Sequence, residues 1–135
     1  DSFEGLPEIW KPEFEKGRFR QEKLPPVPSN VTLIKGWFEE TLKKFKLELK
    51  SKKHTISFIH IDCDLYTSTS TIFEELNEYI QPGLVILFDE YFNYPNWENH
   101  EHKAFKEFIQ KTNHKFKYLA YVENACQVCI KITDK

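Results

Sequence analysis

Two acidic pairs carry the chemistry this sequence can offer. Asp62 and Asp64 close the apolar run Ile56-Ser57-Phe58-Ile59-His60-Ile61, and Asp89 and Glu90 close Leu84-Val85-Ile86-Leu87-Phe88. Side chains alternate along a strand, so Asp62 and Asp64 project from one face together with His60. Four carboxylates at neighbouring strand tips repel one another unless a cation or shared protons neutralise them. An all-oxygen donor set of this kind suits Mg²⁺, Ca²⁺ or Mn²⁺ rather than zinc. A carboxylate left outside the ion's coordination sphere is placed to act as a general base toward a hydroxyl.

Such a site needs two adjacent parallel strands. Ser68 to Ile80 has helical spacing, with Ile72, Phe73, Leu76, Tyr79 and Ile80 inward, and it closes at Gln81-Pro82-Gly83. Strand, crossover helix and strand form a right-handed unit whose strands run parallel, with ligands bound beyond their carboxyl ends. Upstream, Phe38, Leu42, Phe45 and Leu49 mark an amphipathic helix. Val31 to Ile34 is a short strand candidate ending at Lys35-Gly36, and residues 8–30 are rich in charge and proline, with Pro25-Pro26-Val27-Pro28 extended. Downstream, a helix from about Glu98 to Thr112 aligns Ala104, Phe105, Phe108 and Ile109. Phe116 to Val122 and Ala125 to Ile132 then form an antiparallel hairpin turning at Glu123-Asn124. The order β-α-β-α-β-α-β-β predicts an α/β domain.

The 135 residues, 40% hydrophobic and 30% charged, suit one globular domain over 1–135. A net charge of −2 gives no general attraction to nucleic acid. No apolar run approaches the roughly 20 residues of a bilayer-spanning helix, so no membrane partner is expected. The lysines at 43, 44, 46, 50, 52 and 53 read as a solvated helix face and loop. Cys126 and Cys129 form a lone CxxC on an alternating run, which places them on opposite faces. The three cysteines therefore read as plain thiols, and a cytoplasmic location is expected. His60 reads as core-facing and His54, His100, His102 and His114 as surface or loop residues, with His100 and His102 kept as candidates on the substrate side. Tyr91, Phe92, Tyr94 and Trp97 are candidates for a wall against the acceptor.

Asp62-Cys63-Asp64 alone is not specific. It also fits the nucleophile motif of haloacid-dehalogenase-type phosphatases and the metal site of nucleotide-sugar glycosyltransferases. His60 with Asp62 makes the HxD of iron oxygenases, which are built on antiparallel barrels. The four glycines, at 5, 17, 36 and 83, form no GxG, so the first strand and glycine-rich loop of a nucleotide-binding domain are missing.

Four segments in one order narrow the choice: Asp1-Ser2-Phe3-Glu4-Gly5-Leu6-Pro7, Lys35-Gly36-Trp37-Phe38-Glu39-Glu40-Thr41-Leu42, His60-Ile61-Asp62-Cys63-Asp64-Leu65-Tyr66 and Phe88-Asp89-Glu90-Tyr91. This order resembles the macrocin O-methyltransferase-like branch of class I S-adenosylmethionine-dependent methyltransferases. The resemblance implies a Rossmann-like sheet, mostly parallel with an antiparallel C-terminal hairpin, of which this chain is the C-terminal two-thirds. It implies Mg²⁺-dependent methyl transfer from S-adenosylmethionine to a hydroxyl of a sugar or other small natural product. By motif, Asp62, Asp89 and Glu90 would hold Mg²⁺ and Asp64 would be the base. Asp1, Ser2, Phe3, Glu4 and Gly5 would line the cofactor, with Gly36 and Trp37 near the adenine. The rival readings are a non-catalytic remnant or interaction domain, and a metal-dependent glycosyltransferase using the DxD.

In this family's strand order, two strands lie between the counterparts of Val31–Ile34 and Ile56–Ile61. Without them the latter has a bare edge. The isolated chain is therefore expected not to bind S-adenosylmethionine measurably. It should either pair Val31–Ile34 directly with Ile56–Ile61 or self-associate, giving a possible homo-oligomer.

Overall fold

A computed structural model describes residues 1–134. Helix α1 (Phe38–Lys52) follows from the spacing of its apolar residues and has Glu39 and Glu40 in its first turn and Lys50 and Lys52 in its last. Those charges complement the helix dipole. It stops at Lys53, whose left-handed backbone turns its N–H back to the carbonyls of Leu49 and Lys50. Strand β1 (Phe58–Ile61) leads to α2 (Tyr66–Leu76), which tightens into a 3-10 turn at Asn77–Tyr79. After β2 (Val85–Phe88), a loop and a short turn at Trp97–Asn99 precede α3 (Glu101–Thr112). Strands β3 (Lys115–Tyr121) and β4 (Val128–Asp134) complete the described chain.

The four strands form one sheet in the order β1-β2-β4-β3. β1 and β2 are parallel with Ile61 opposite Phe88, and β4 runs antiparallel to both its neighbours. Three strands thus share one direction and β4 alone opposes them, the mostly parallel sheet and C-terminal hairpin the sequence predicts. Alternation sends Ile61, Ile86, Phe88, Val128, Ile130 and Ile132 into the core. There α2 and α3 cover them, with Phe73 of α2 stacked on Phe108 of α3 at 4.7 Å between ring centroids. Helix α1 joins this layer through Lys46, whose ammonium lies 2.7 Å from the Glu75 carboxylate.

Several expectations need correction. Val31–Ile34 forms no strand and does not pair with β1. Its backbone instead lies beside Asp1, which bonds the Ile34 carbonyl and accepts from Gly36, and Leu33 and Ile34 face Phe38, Leu42 and Phe45 across a small cavity. His60 is exposed rather than core-facing, because the face of β1 opposite Ile61 has no covering helix among the described residues. His114 is buried, 3% exposed, and bonds the Thr112 hydroxyl and the Ile80 carbonyl. Cys126 precedes β4 rather than lying on it, and the three thiols are free and half-buried.

The charged N-terminal segment is also more ordered than its composition suggests. The Leu6 N–H donates to the Arg18 carbonyl and the Leu6 carbonyl accepts from the Gly17 N–H, which folds residues 5–18 into a closed loop. Gly5 makes the closure possible: its φ is 79°, and a Cβ there would lie 2.3 Å from the Arg18 carbonyl oxygen. The loop buries Leu6 and Trp10 against Leu65, with Phe14 and Tyr94 packed alongside.

Candidate active site

The parallel pairing extends one residue beyond the strands, where the Asp89 N–H donates to the Ile61 carbonyl at 2.9 Å. This bond places the two acidic loops side by side. Beyond them opens a cleft of about 770 Å³ lined by Asp62, Asp64, Asp89 and Glu90. Its other walls include Asp1, Ser2, Gly5, Gly36 and Trp37, so the sequence-predicted base, metal ligands and most of the cofactor-lining residues share one space. Two predicted residues do not line it. Phe3 faces the smaller cavity beside α1, and Glu4 reaches Arg20 and Lys35 at 3.6 Å each.

Asp64 is the most perturbed of the four acids. Burial, reinforced by the charges of Glu90 and Asp62, raises its pKa to about 7, while the Lys11 ammonium opposes the rise. Burial likewise raises Glu90, again against Lys11. One oxygen of Glu90, Oε2, is buried without a hydrogen-bond partner. Asp89 is held from the side by Gln127, whose amide donates to Oδ1 at 3.2 Å, and His60 Nε2 lies 3.8 Å from the same oxygen. Lys11 reaches the cleft over the aromatic cluster, 3.4 Å from the Trp10 ring centroid and 4.2 Å from that of Tyr94.

Sequence reasoning missed Lys11, Trp10 and Glu101. Trp10 and Lys11 lie in a segment that reads as solvated, and nothing in its spacing signals that it folds back over the acids. Glu101 reads as a first-turn acid facing water, yet it is fully buried and accepts three backbone N–H groups from the acidic loops. Burial raises its pKa to about 8 against those donors. The aromatic wall is mostly core: Tyr91 is buried against Phe88, and Trp97 packs edge-on to His102. His100 and His102 are half-buried beside Tyr94 and Tyr91 and do not line the cleft.

The donor set fits a hard divalent ion in kind, since it is all carboxylate and carries the unpartnered Glu90 oxygen. Among the described residues no three acid, histidine or cysteine side chains are already arranged to hold one ion, so Asp62, Asp89 and Glu90 could hold it only after side-chain rearrangement.

Known proteins share parts of this sequence and its fold. The chain is 26% identical, over a 110-position alignment, to the 8-demethyl-8-(2,3-dimethoxy-alpha-L-rhamnosyl)-tetracenomycin-C 4'-O-methyltransferase of Streptomyces olivaceus, covering 67% of this chain and 40% of that protein. The calicheamicin methyltransferase CalS11 matches 97% of this chain with a TM-score of 0.71 and 22% identity, and the O-methyltransferase NovP matches all of it with 0.68 and 19%. An apo structure of CalS11, described as a TDP-rhamnose 3'-O-methyltransferase, matches with a TM-score of 0.56 and 21% identity over 73% of this chain. The chain spans 58% of the length of CalS11 and of NovP, and it has their class I methyltransferase fold. Residues 4–91, from the loop that closes on Gly5 to the second acidic pair, match the Methyltransferase domain family, and the chain belongs to it.

Proposed function

We propose that this chain, as part of a complete methyltransferase domain, serves S-adenosylmethionine- and Mg²⁺-dependent methylation of a hydroxyl on a sugar or similar small natural product. The observation that carries the reading is the cleft itself, which joins Asp62, Asp64, Asp89 and Glu90 to Asp1, Ser2, Gly5, Gly36 and Trp37. The rhamnose chemistry in the names of the tetracenomycin and CalS11 relatives supports a sugar acceptor.

When bound, S-adenosylmethionine supplies a methyl group on a sulfonium and leaves as the neutral thioether, while Mg²⁺ lowers the pKa of a nearby hydroxyl. Asp62, Asp89 and Glu90 are the residues that would hold the ion. Asp64 would take the proton of the acceptor hydroxyl. In the metal-free chain burial raises its pKa to about 7, and a cation held by its neighbours would lower it, leaving the base ionised near neutrality. Trp37 and Gly36 would flank the adenine, and the Leu6–Trp10–Tyr94 cluster would keep water from the acids.

Methyl transfer by the full-length protein from labelled S-adenosylmethionine to a panel of free and nucleotide-activated sugars, with and without chelator, tests this. Chelator-sensitive labelling of a sugar hydroxyl is expected. Sugar transfer from a nucleotide sugar, with no methyl transfer, would assign the acids to glycosyltransferase chemistry instead.

A further inference from the structure

Glu101 has no part in the proton transfer just described, yet its carboxylate is fully buried at the first residue of α3. Its Oε1 accepts the N–H groups of Cys63 at 3.2 Å and Asp64 at 3.1 Å, and its Oε2 accepts the N–H of Glu90 at 3.2 Å. The three donors lie in the two acidic loops, past the last ladder pair of Ile61 with Phe88. Cys63 and Asp64 present successive amides, and Asp64 has φ 62° in the left-handed region. Successive amides around such a residue form a concavity that receives an anion. Here the concavity receives the protein's own Glu101 carboxyl group, whose oxygens accept all three amides.

A buried polar group of this kind is a poor way to add stability, since a well-packed apolar side chain often does as well or better. What it adds here is geometry. We propose that Glu101 is a positioning residue: it ties the Asp62–Asp64 and Asp89–Glu90 loops to one frame and so sets the direction of the Asp64 carboxylate. The inference rests on Asp64 being the base. Without the tie, Asp64 has no acceptor holding its N–H and its backbone in the left-handed region, which costs a non-glycine residue free energy. Relaxation there would turn its side chain away from the acceptor.

Two measurements test this. In the unmodified protein, amide hydrogen exchange at Cys63, Asp64 and Glu90 should be slowed together, well below unstructured rates, although these amides lie outside the sheet ladder. Glu101→Gln keeps the shape but turns one acceptor into a donor, so exchange at one or more of these amides should rise about tenfold or more while β4 stays protected. In methyl transfer by the full-length protein the same substitution should lower kcat on the order of 10²-fold with KM nearly unchanged, the scale of a roughly 1 Å misplacement. In an Asp64→Asn background it should cost little further. Exchange at unstructured rates in the unmodified protein would overturn the proposal, as would an equal kcat loss in both backgrounds. If Glu101→Gln does not fold, exchange in the unmodified protein decides. If the full-length protein transfers no methyl group, the functional reading fails, and exchange still shows whether Glu101 ties the loops.

Discussion

At Asp64 a left-handed backbone, partial burial and three neighbouring acids converge on one carboxyl group. Replacing it with asparagine removes the proton acceptor while leaving the shape. Asp64→Asn should therefore lower kcat by on the order of 10²–10⁴-fold, with cofactor affinity kept, as equilibrium binding and single-turnover rates can show. Asp62→Asn should instead weaken Mg²⁺ binding, and its activity should partly return when Mg²⁺ is raised.

The same carboxyl links stability to pH. In the unfolded chain Asp64 ionises near 3.8, whereas in the folded chain burial holds it protonated up to about 7, and burial holds Glu101 up to about 8. Between these values the folded state binds more protons than the unfolded one, so stability falls as pH rises. His100 and His102, whose pKa values burial lowers from 6.5, act in the opposite sense only at lower pH. Metal-free protein should therefore melt at a lower temperature at pH 8 than at pH 6.5. Asp64→Asn should flatten that slope, and thermal melts of the two proteins across this range check it.

Among the elements, α2 and α3 hold the sheet through one aromatic stack. Phe73 is 1% exposed and touches the rings of Phe88, Phe105 and Phe108. Phe73→Ala should cost about 3–5 kcal/mol in chemical denaturation, because the surrounding rings cannot collapse into the space it leaves. At the other extreme, β1 pairs only with β2 among the described residues, and Phe58 on it is 55% exposed. A free apolar edge recruits foreign strands. The 135-residue chain is thus expected to self-associate at rising concentration in sedimentation velocity, and Phe58→Lys should shift it toward monomer.

For the whole molecule, the cleft is built by parts far apart in the chain. The loop of residues 5–18, Gly36-Trp37 and the strand tips all border it, while no strand lies beyond β1 among the described residues. The 135 residues alone are therefore expected to show no measurable S-adenosylmethionine binding in calorimetry. Micromolar binding would mean that these walls suffice by themselves.

The acids and their elements were legible in the sequence because their information is local. Alternation ending in Asp62-Cys63-Asp64 and in Asp89-Glu90, the helical spacing between the two runs, and the hairpin signal all depend on neighbours a few residues away. The four ordered segments added the family in the same way. Tertiary structure decided the rest. Val31–Ile34 has the composition of a strand but lies beside Asp1 and α1, because a strand exists only where a partner offers its ladder. His60 is exposed because covering a sheet face depends on which helices reach it, not on alternation. Glu101 and Lys11 look like solvated charges by spacing. They become parts of the site only because a helix start and a folded-back loop bring them to the strand tips, where burial, not residue type, sets what their charges do.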